Sequence, residues 1–182
     1  MRYIAFLVLI LFAGTAFVQP KLKKVNLSKE ISIALPKDFS AMSDDDIARE
    51  YPATTRPLAA YTGPNGQIDF SVTQKPAQFR AQDLNMLREF YKASLLEKFT
   101  KVDFIRDEVT EIKGQDFIVF EFVSSVADER GASNLGPVNK YSIVQYTIKD
   151  GKMLIFTMHV PYMLRNEWQE PAREIMSSVK LK

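Results

Sequence analysis

Two apolar runs, Tyr141 to Ile148 and Met153 to Val160, are separated by the polar residues Lys149, Asp150 and Lys152 with Gly151 among them. Successive side chains of a strand point to opposite faces, and Asp-Gly favours the type I′ turn, which needs positive φ at both central residues. The runs therefore predict a hairpin whose register follows from its two-residue loop. Lys149 faces Lys152, and Ile148, Tyr146 and Val144 face Met153, Ile155 and Thr157 on one side. Leu154, Phe156, Met158 and Val160 fall on the other side with Tyr141, Ile143 and Gln145. Neither set is polar, so both faces need cover. Antiparallel pairing covered twice predicts a layered α+β sandwich with helices supplying the covers.

The rest of the pattern extends this picture. Val25 to Leu35 reads as two short strands around Ser28-Lys29, with Ile31, Ile33 and Leu35 on one face and Pro36 ending the pairing. Ser43, ahead of Asp44-Asp45-Asp46, predicts a capped short helix. The three carboxylates lack the alternating spacing of a calcium loop. Leu58 to Thr62 and Gln67 to Thr73 are strand-like, joined by the turn residues Gly63-Pro64-Asn65-Gly66. Gln82 to Phe99 is the clearest helix: Leu84, Leu87, Tyr91 and Leu95 recur at helical spacing, and Met86, Phe90 and Leu96 are expected to widen the buried stripe. Val102 to Ile112 and Gln115 to Val126 predict a second hairpin around Lys113-Gly114, covered on both faces like the first. Glu121 interrupts one apolar face and calls for an edge position, a Lys or Arg partner, or a catalytic role. Pro161 should end the last long strand. Pro171 fits a helix interior badly, so a turn over Asn166 to Gln169 and a helix starting near Pro171 are expected, with Trp168 packing there.

Composition narrows the chemistry. The 182 residues are 46% hydrophobic and 25% charged with a net charge of +2, which suits one globular domain and gives no global field for nucleic acid. With no Cys and one His, thiolate nucleophiles, Cys-based metal sites and multi-histidine sites are excluded, so neither a metal nor a cofactor is expected. No Gly-rich phosphate-binding motif is present. The hairpin register sets Ser142 opposite His159, but G-x-S-x-G is missing, and two flat sheet neighbours supply no oxyanion hole. No catalytic residue is assigned.

At the N-terminus, Met1-Arg2, the apolar run Tyr3 to Phe12 and the small residues Ala13 to Ala16 have the three parts of a secretory signal. Residues 1–16 are expected to be a signal peptide, or an N-terminal anchor if uncleaved, followed by a basic linker over 17–24 and a single domain over 25–182. Lys21, Lys23 and Lys24 beyond the run weigh the other way, since basic residues tend to stay cytoplasmic. The expected location is the periplasm or the exterior of a bacterium, with membrane contact only through an uncleaved N-terminal segment.

Two stretches carry a resemblance. Ile31-Ser32-Ile33-Ala34-Leu35-Pro36-Lys37-Asp38-Phe39 resembles the strand-then-Pro opening of Mog1/PsbP-like domains, and Ile175-Met176-Ser177-Ser178-Val179-Lys180-Leu181 resembles their closing helix and last strand. The resemblance spans about Val25 to Leu181. It implies an antiparallel sheet of about six or seven strands between helical layers, in a family used for binding and assembly. Its members include photosystem II accessory subunits, a Ran-binding protein and small exported or chaperone-like bacterial proteins. It brings no catalytic residues, and the metal-binding histidines of some plant members have no counterparts here.

The function expected from these readings is an exported, non-catalytic binding or assembly module that contacts an envelope protein. The longest unpatterned segment, Asp128 to Asn139, is the expected contact, through Asp128, Glu129, Arg130 and Asn134. The alternatives are an enzyme or small-ligand carrier with a pocket between sheet and helix, and a chaperone that holds clients against the helix stripe.

Overall fold

A computed structural model describes residues 20–52, 55–126 and 137–182. In chain order its strands and helices are β1 (Leu22–Asn26), β2 (Ile31–Pro36), β3 (Ser40–Ala41), α1 (Asp44–Glu50), β4 (Ala59–Thr62), β5 (Asp69–Pro76), α2 (Leu84–Lys98), β6 (Lys101–Ile112), β7 (Gln115–Val126), β8 (Val138–Lys149), β9 (Lys152–Pro161), α3 (Arg165–Ser177) and β10 (Lys180–Leu181). A seven-stranded antiparallel sheet has the order β3-β4-β5-β9-β8-β7-β6, and a separate three-stranded sheet has the order β1-β2-β10. The α+β sandwich read from the sequence is the fold observed.

The β8-β9 hairpin has the register set by its turn, with Lys149 opposite Lys152 and Ser142 opposite His159. Asp150 and Gly151 both have positive φ, 48° and 69°, as a type I′ turn requires. Lys113 and Gly114 close β6 onto β7 in the same way, with φ of 51° and 83°. β8 starts at Val138, so the predicted loop loses its last two residues to a strand, and β1 takes in Lys23 and Lys24 from the expected linker.

The two covers differ from the expected pair of helical layers. One core unites Phe70, Phe117, Val119, Ile143, Phe156 and Met158 of the large sheet with Ile31, Ile33 and Leu35 of β2 and Ala172, Ile175 and Met176 of α3. That cover is therefore part helix and part sheet. The small sheet is locked to α3 where the Ala34 N–H donates to Ser178 Oγ at 2.8 Å. The opposite core joins Leu84, Leu87 and Leu95 of α2 to Ile118, Phe120, Phe122, Val144, Tyr146 and Ile148. Tyr91 stacks on Tyr146 with ring centroids 4.2 Å apart, fixing the helix over β8. Met86, Phe90 and Leu96, expected to widen this stripe, are exposed instead, Phe90 by 62%. One helix contacts the sheet over a limited arc, and these three lie outside it.

The other correction concerns Pro171. α3 is continuous from Arg165 to Ser177 with Pro171 in its interior, preceded by a 3-10 turn over Tyr162–Leu164. An interior proline costs about 3 kcal/mol through its missing N–H and ring clash. Here the first turns are held by other contacts: Arg165 Nε donates to Gln169 Oε1 at 3.1 Å, Trp168 packs on Phe39 with centroids 5.8 Å apart, and the Pro171 ring is buried. Ser43 caps α1 as expected, accepting from the Asp46 N–H at 3.2 Å. Asp46 pairs with Arg49 at 2.6 Å and Asp44 with Arg56, so two of the three aspartates serve local ion pairs.

Candidate functional site

Antiparallel pairing gathers polar residues from distant parts of the sequence at one pole of the large sheet. Thr62 ends β4, Asp69 begins β5, Lys101 begins β6, Ser124 and Ser125 lie near the end of β7, Asn139 and Lys140 begin β8, and His159 lies near the end of β9. Lys98 at the end of α2 and Arg165 at the start of α3 join them. An open pocket of about 330 Å3 sits here, lined in part by Lys101, Asp103, Ser125, Asn139, Tyr162 and Arg165. Lys101 and Asp103 form an ion pair at 2.8 Å. A β-bulge between Phe104 and Arg106 shifts the register of β6 beside the pocket, turning this edge strand where it meets solvent. At the same pole Val126 and Val138 face each other as an exposed cross-strand pair, which strand alternation turns to the α2 face, away from Ser125 and Asn139 of the pocket. Tyr162 is also exposed, and Met163 is 82% exposed.

The predicted contact residues Asp128, Glu129, Arg130 and Asn134 lie outside the described residues. β7 ends at Val126 and β8 begins at Val138, both at this pole.

On the α2 face of the same pole, His159 lies between two neighbours on adjacent strands. Ser142 Oγ is 2.8 Å from His159 Nδ1, and Asp69 is directly opposite His159 on β5. Burial holds the imidazole well below its usual range, at about 4, with Lys140 and Lys98 pushing in the same direction. Burial raises the Asp69 carboxyl, opposed by a hydrogen bond from Thr62, and its Oδ1 has no hydrogen-bond partner among the described residues. The three side-chain types match a hydrolytic triad, but the geometry does not. Ser142 is 1% exposed and bonds the ring nitrogen nearest the backbone, so its hydroxyl has no path to a substrate. The sequence placed Ser142 against His159; it gave no sign of Asp69, whose pairing with β9 is not set by a turn.

Glu121, on the opposite face, is fully buried and lies on β7 within the sheet rather than at an edge. Arg173 of α3 reaches it with Nε at 3.1 and 3.0 Å to the two carboxylate oxygens and with Nη2 at 2.8 Å. Tyr141 Oη and Gln169 Nε2 both donate to Glu121 Oε1, at 3.0 and 3.1 Å. Burial, then the Glu121 charge, pushes the Tyr141 phenol far above its usual range, and the hydrogen bond to Glu121 raises the Arg173 guanidinium. The carboxylate thus has the Arg partner that the sequence allowed, and its acceptor sites are occupied. This cluster ties α3 to the sheet. Among the described residues, no group of three His, Cys, Asp or Glu side chains is placed to hold a metal, and no helix is long and apolar enough to cross a membrane.

No protein-family model and no curated protein matches this sequence. Solved structures do. The cyanobacterial PsbP protein CyanoP of Synechocystis sp. PCC 6803 matches 93% of this chain and 96% of its own, with a TM-score of 0.64 at 12% identity. The Ran-binding protein Mog1p of Saccharomyces cerevisiae matches 89% and 96%, with a TM-score of 0.58 at 14% identity. LpqN, involved in cell envelope biogenesis of Mycobacterium tuberculosis, matches 89% and 91%, with a TM-score of 0.53 at 10% identity. At such identities the likeness is one of fold. The two layers on either side of the seven-stranded sheet, and the order in which the chain builds them, are those of the Mog1/PsbP-like fold.

Proposed function

We propose that the protein is a non-catalytic binding module, exported to the envelope, that docks a protein partner at the pole described above. The observation that carries this reading is exposed Tyr162, followed by exposed Met163, at a polar pocket that Tyr162 helps to line. Protein interfaces combine an apolar centre with a polar rim and favour Tyr, Met and Arg. Here Tyr162, Met163 and Arg165 supply those types, and Lys101, Asp103 and Asn139 form the rim. The signal-like Met1 to Ala16 and the fold shared with LpqN support export, and the fold shared with the Ran-binding Mog1p supports a protein as the partner. The buried Ser142 hydroxyl and the fully paired Glu121 favour binding over catalysis.

A photo-crosslinker placed at Met163 should give a discrete adduct in cells, and one placed at exposed Met86 on α2 should not. Tyr162→Ala should abolish the adduct with the thermal midpoint unchanged within a few degrees. Equal labelling from both positions, or none from Met163, sinks the reading. A small-ligand carrier is favoured by a different feature, a cavity beside α3.

A further inference from the structure

α3 packs on β9, β8 and β2 and leaves open a strip of the large sheet next to its edge strand β6. A cavity of about 180 Å3 occupies this strip. Ile112, Ile143 and Met176 give it an apolar surface, and Arg106 and Arg173 stand in its lining with Gln145 and Thr110. Glu111 also borders it, but lies opposite Asp116 while Thr110 lies opposite the inward-facing Phe117; strand alternation turns the Glu111 side chain to the other face.

Two features mark this cavity as a site. Gln145 is 2% exposed and its Oε1 has no hydrogen-bond partner among the described residues. A buried amide oxygen without a partner is costly, and turning the amide presents its amino group to a guest in that place. The second feature is unspent guanidinium capacity. Arg106 bonds Glu108 through Nε and Nη2, and Arg173 bonds Glu121 through Nε and Nη2 and Glu170 through Nη1. A guanidinium carries five N–H donors, so each retains some. Arg106 already has one carboxylate and Arg173 two, so a guest carboxylate is held by the spare N–H donors rather than by uncompensated charge, and a dianion is disfavoured.

We propose that this cavity binds a short aliphatic monocarboxylate. Its carboxylate lies between Arg106 and Arg173 with the Gln145 amide as a third contact, and its chain lies on Ile112, Ile143 and Met176. At the ~30 Å3 share of a water molecule, the volume admits a guest of roughly six heavy atoms, the size of butyrate. The site is separate from the docking pole: it uses β6 from Arg106 onward and the later half of α3, shares no lining residue with the pole's pocket, and stands or falls independently of a protein partner.

The test is a titration of the full chain with sodium butyrate, followed by NMR at the Gln145 side-chain amide and the Ile143 and Met176 methyls. Butyramide, sodium phosphate and sodium chloride at matched ionic strength serve as comparisons. The expected result is saturable shifts with butyrate, with half-saturation raised at least tenfold in Arg106→Gln and in Gln145→Leu. Arg106 lies on an edge strand, so its variant decides the matter should Gln145→Leu fail to fold. The proposal is overturned by non-saturating butyrate shifts, by butyramide saturating equally well, by phosphate saturating at lower concentration, or by an unchanged Arg106→Gln.

Discussion

The two faces of the seven-stranded sheet each withdraw an ionisable side chain from water, Glu121 fully and His159 in part, and they deal with it in opposite ways. Under α3, Glu121 is met by Arg173, Tyr141 and Gln169, three donors from two elements. On the α2 face, His159 has a neighbouring hydroxyl and two repelling lysines, and it resolves the conflict by remaining neutral. The difference follows from what covers each face. α3 can reach down with a long guanidinium because it lies directly over β8 and β9. α2 puts Leu84, Leu87 and Leu95 on its buried side, spends the Tyr91 hydroxyl on Met153 Sδ, and offers His159 no counter-charge. A charge under a cover needs its counter-charge from the covering element, and where that element is greasy the group discharges.

The largest expected effect is on the paired face. Arg173→Leu leaves the Glu121 carboxylate buried without its cation and should cost about 3–5 kcal/mol in urea unfolding. Replacing both residues by Leu should cost less than the single change, because no charge is then stranded. A loss below about 1 kcal/mol for Arg173→Leu would show that the pair is not what holds this face.

The discharged face is tested by acid. Folded His159 binds its proton less tightly than the unfolded residue, at about 4 against an ordinary 6.5. Its contribution is therefore fully present above about pH 6.5 and is lost as pH falls toward 4, by up to about 3 kcal/mol. Asp69, whose carboxyl is raised by burial, takes up its proton more readily when folded and returns part of that loss. The difference between wild type and His159→Gln isolates the imidazole: the thermal midpoint of the variant should fall less steeply between pH 6.5 and 4. Parallel curves would mean the imidazole is not desolvated.

The smallest effect tests the edge of the cover. Met86→Gln and Phe90→Gln should each change stability by no more than about 0.5 kcal/mol, since both side chains already face water. A larger loss in calorimetry would restore the broad stripe expected from spacing alone.

What the sequence made legible was local. Asp150-Gly151 set ten residues on either side in register, and with them the Ser142–His159 neighbours. Glu121 advertised the need for a cation but could not name it, because Arg173 is 52 residues away and arrives through packing. Asp69 was invisible for the same reason: β5 and β9 pair with no turn between them. Helical spacing gave the direction of the buried stripe on α2 but not its width, so Phe90 was placed inside. Pro171 misled because its penalty is local, whereas the contacts of Trp168 and Gln169 that outweigh it are tertiary. The pole and the cavity beside α3 are assembled from strand ends and helix turns that only the topology brings together.

The three-stranded sheet has a consequence for the chain as it is made. Ile31 of β2 pairs with Leu181 of β10, and Lys182 N–H donates to Glu30 O at 2.9 Å, so one layer of the core waits for both. At ribosomal speeds of about 5–20 residues per second, the intervening stretch takes roughly ten to thirty seconds to translate. Throughout that time Ile31, Ile33 and Leu35 lack their closing strand, and the nascent polypeptide offers a greasy ribbon to whatever handles it before folding is complete.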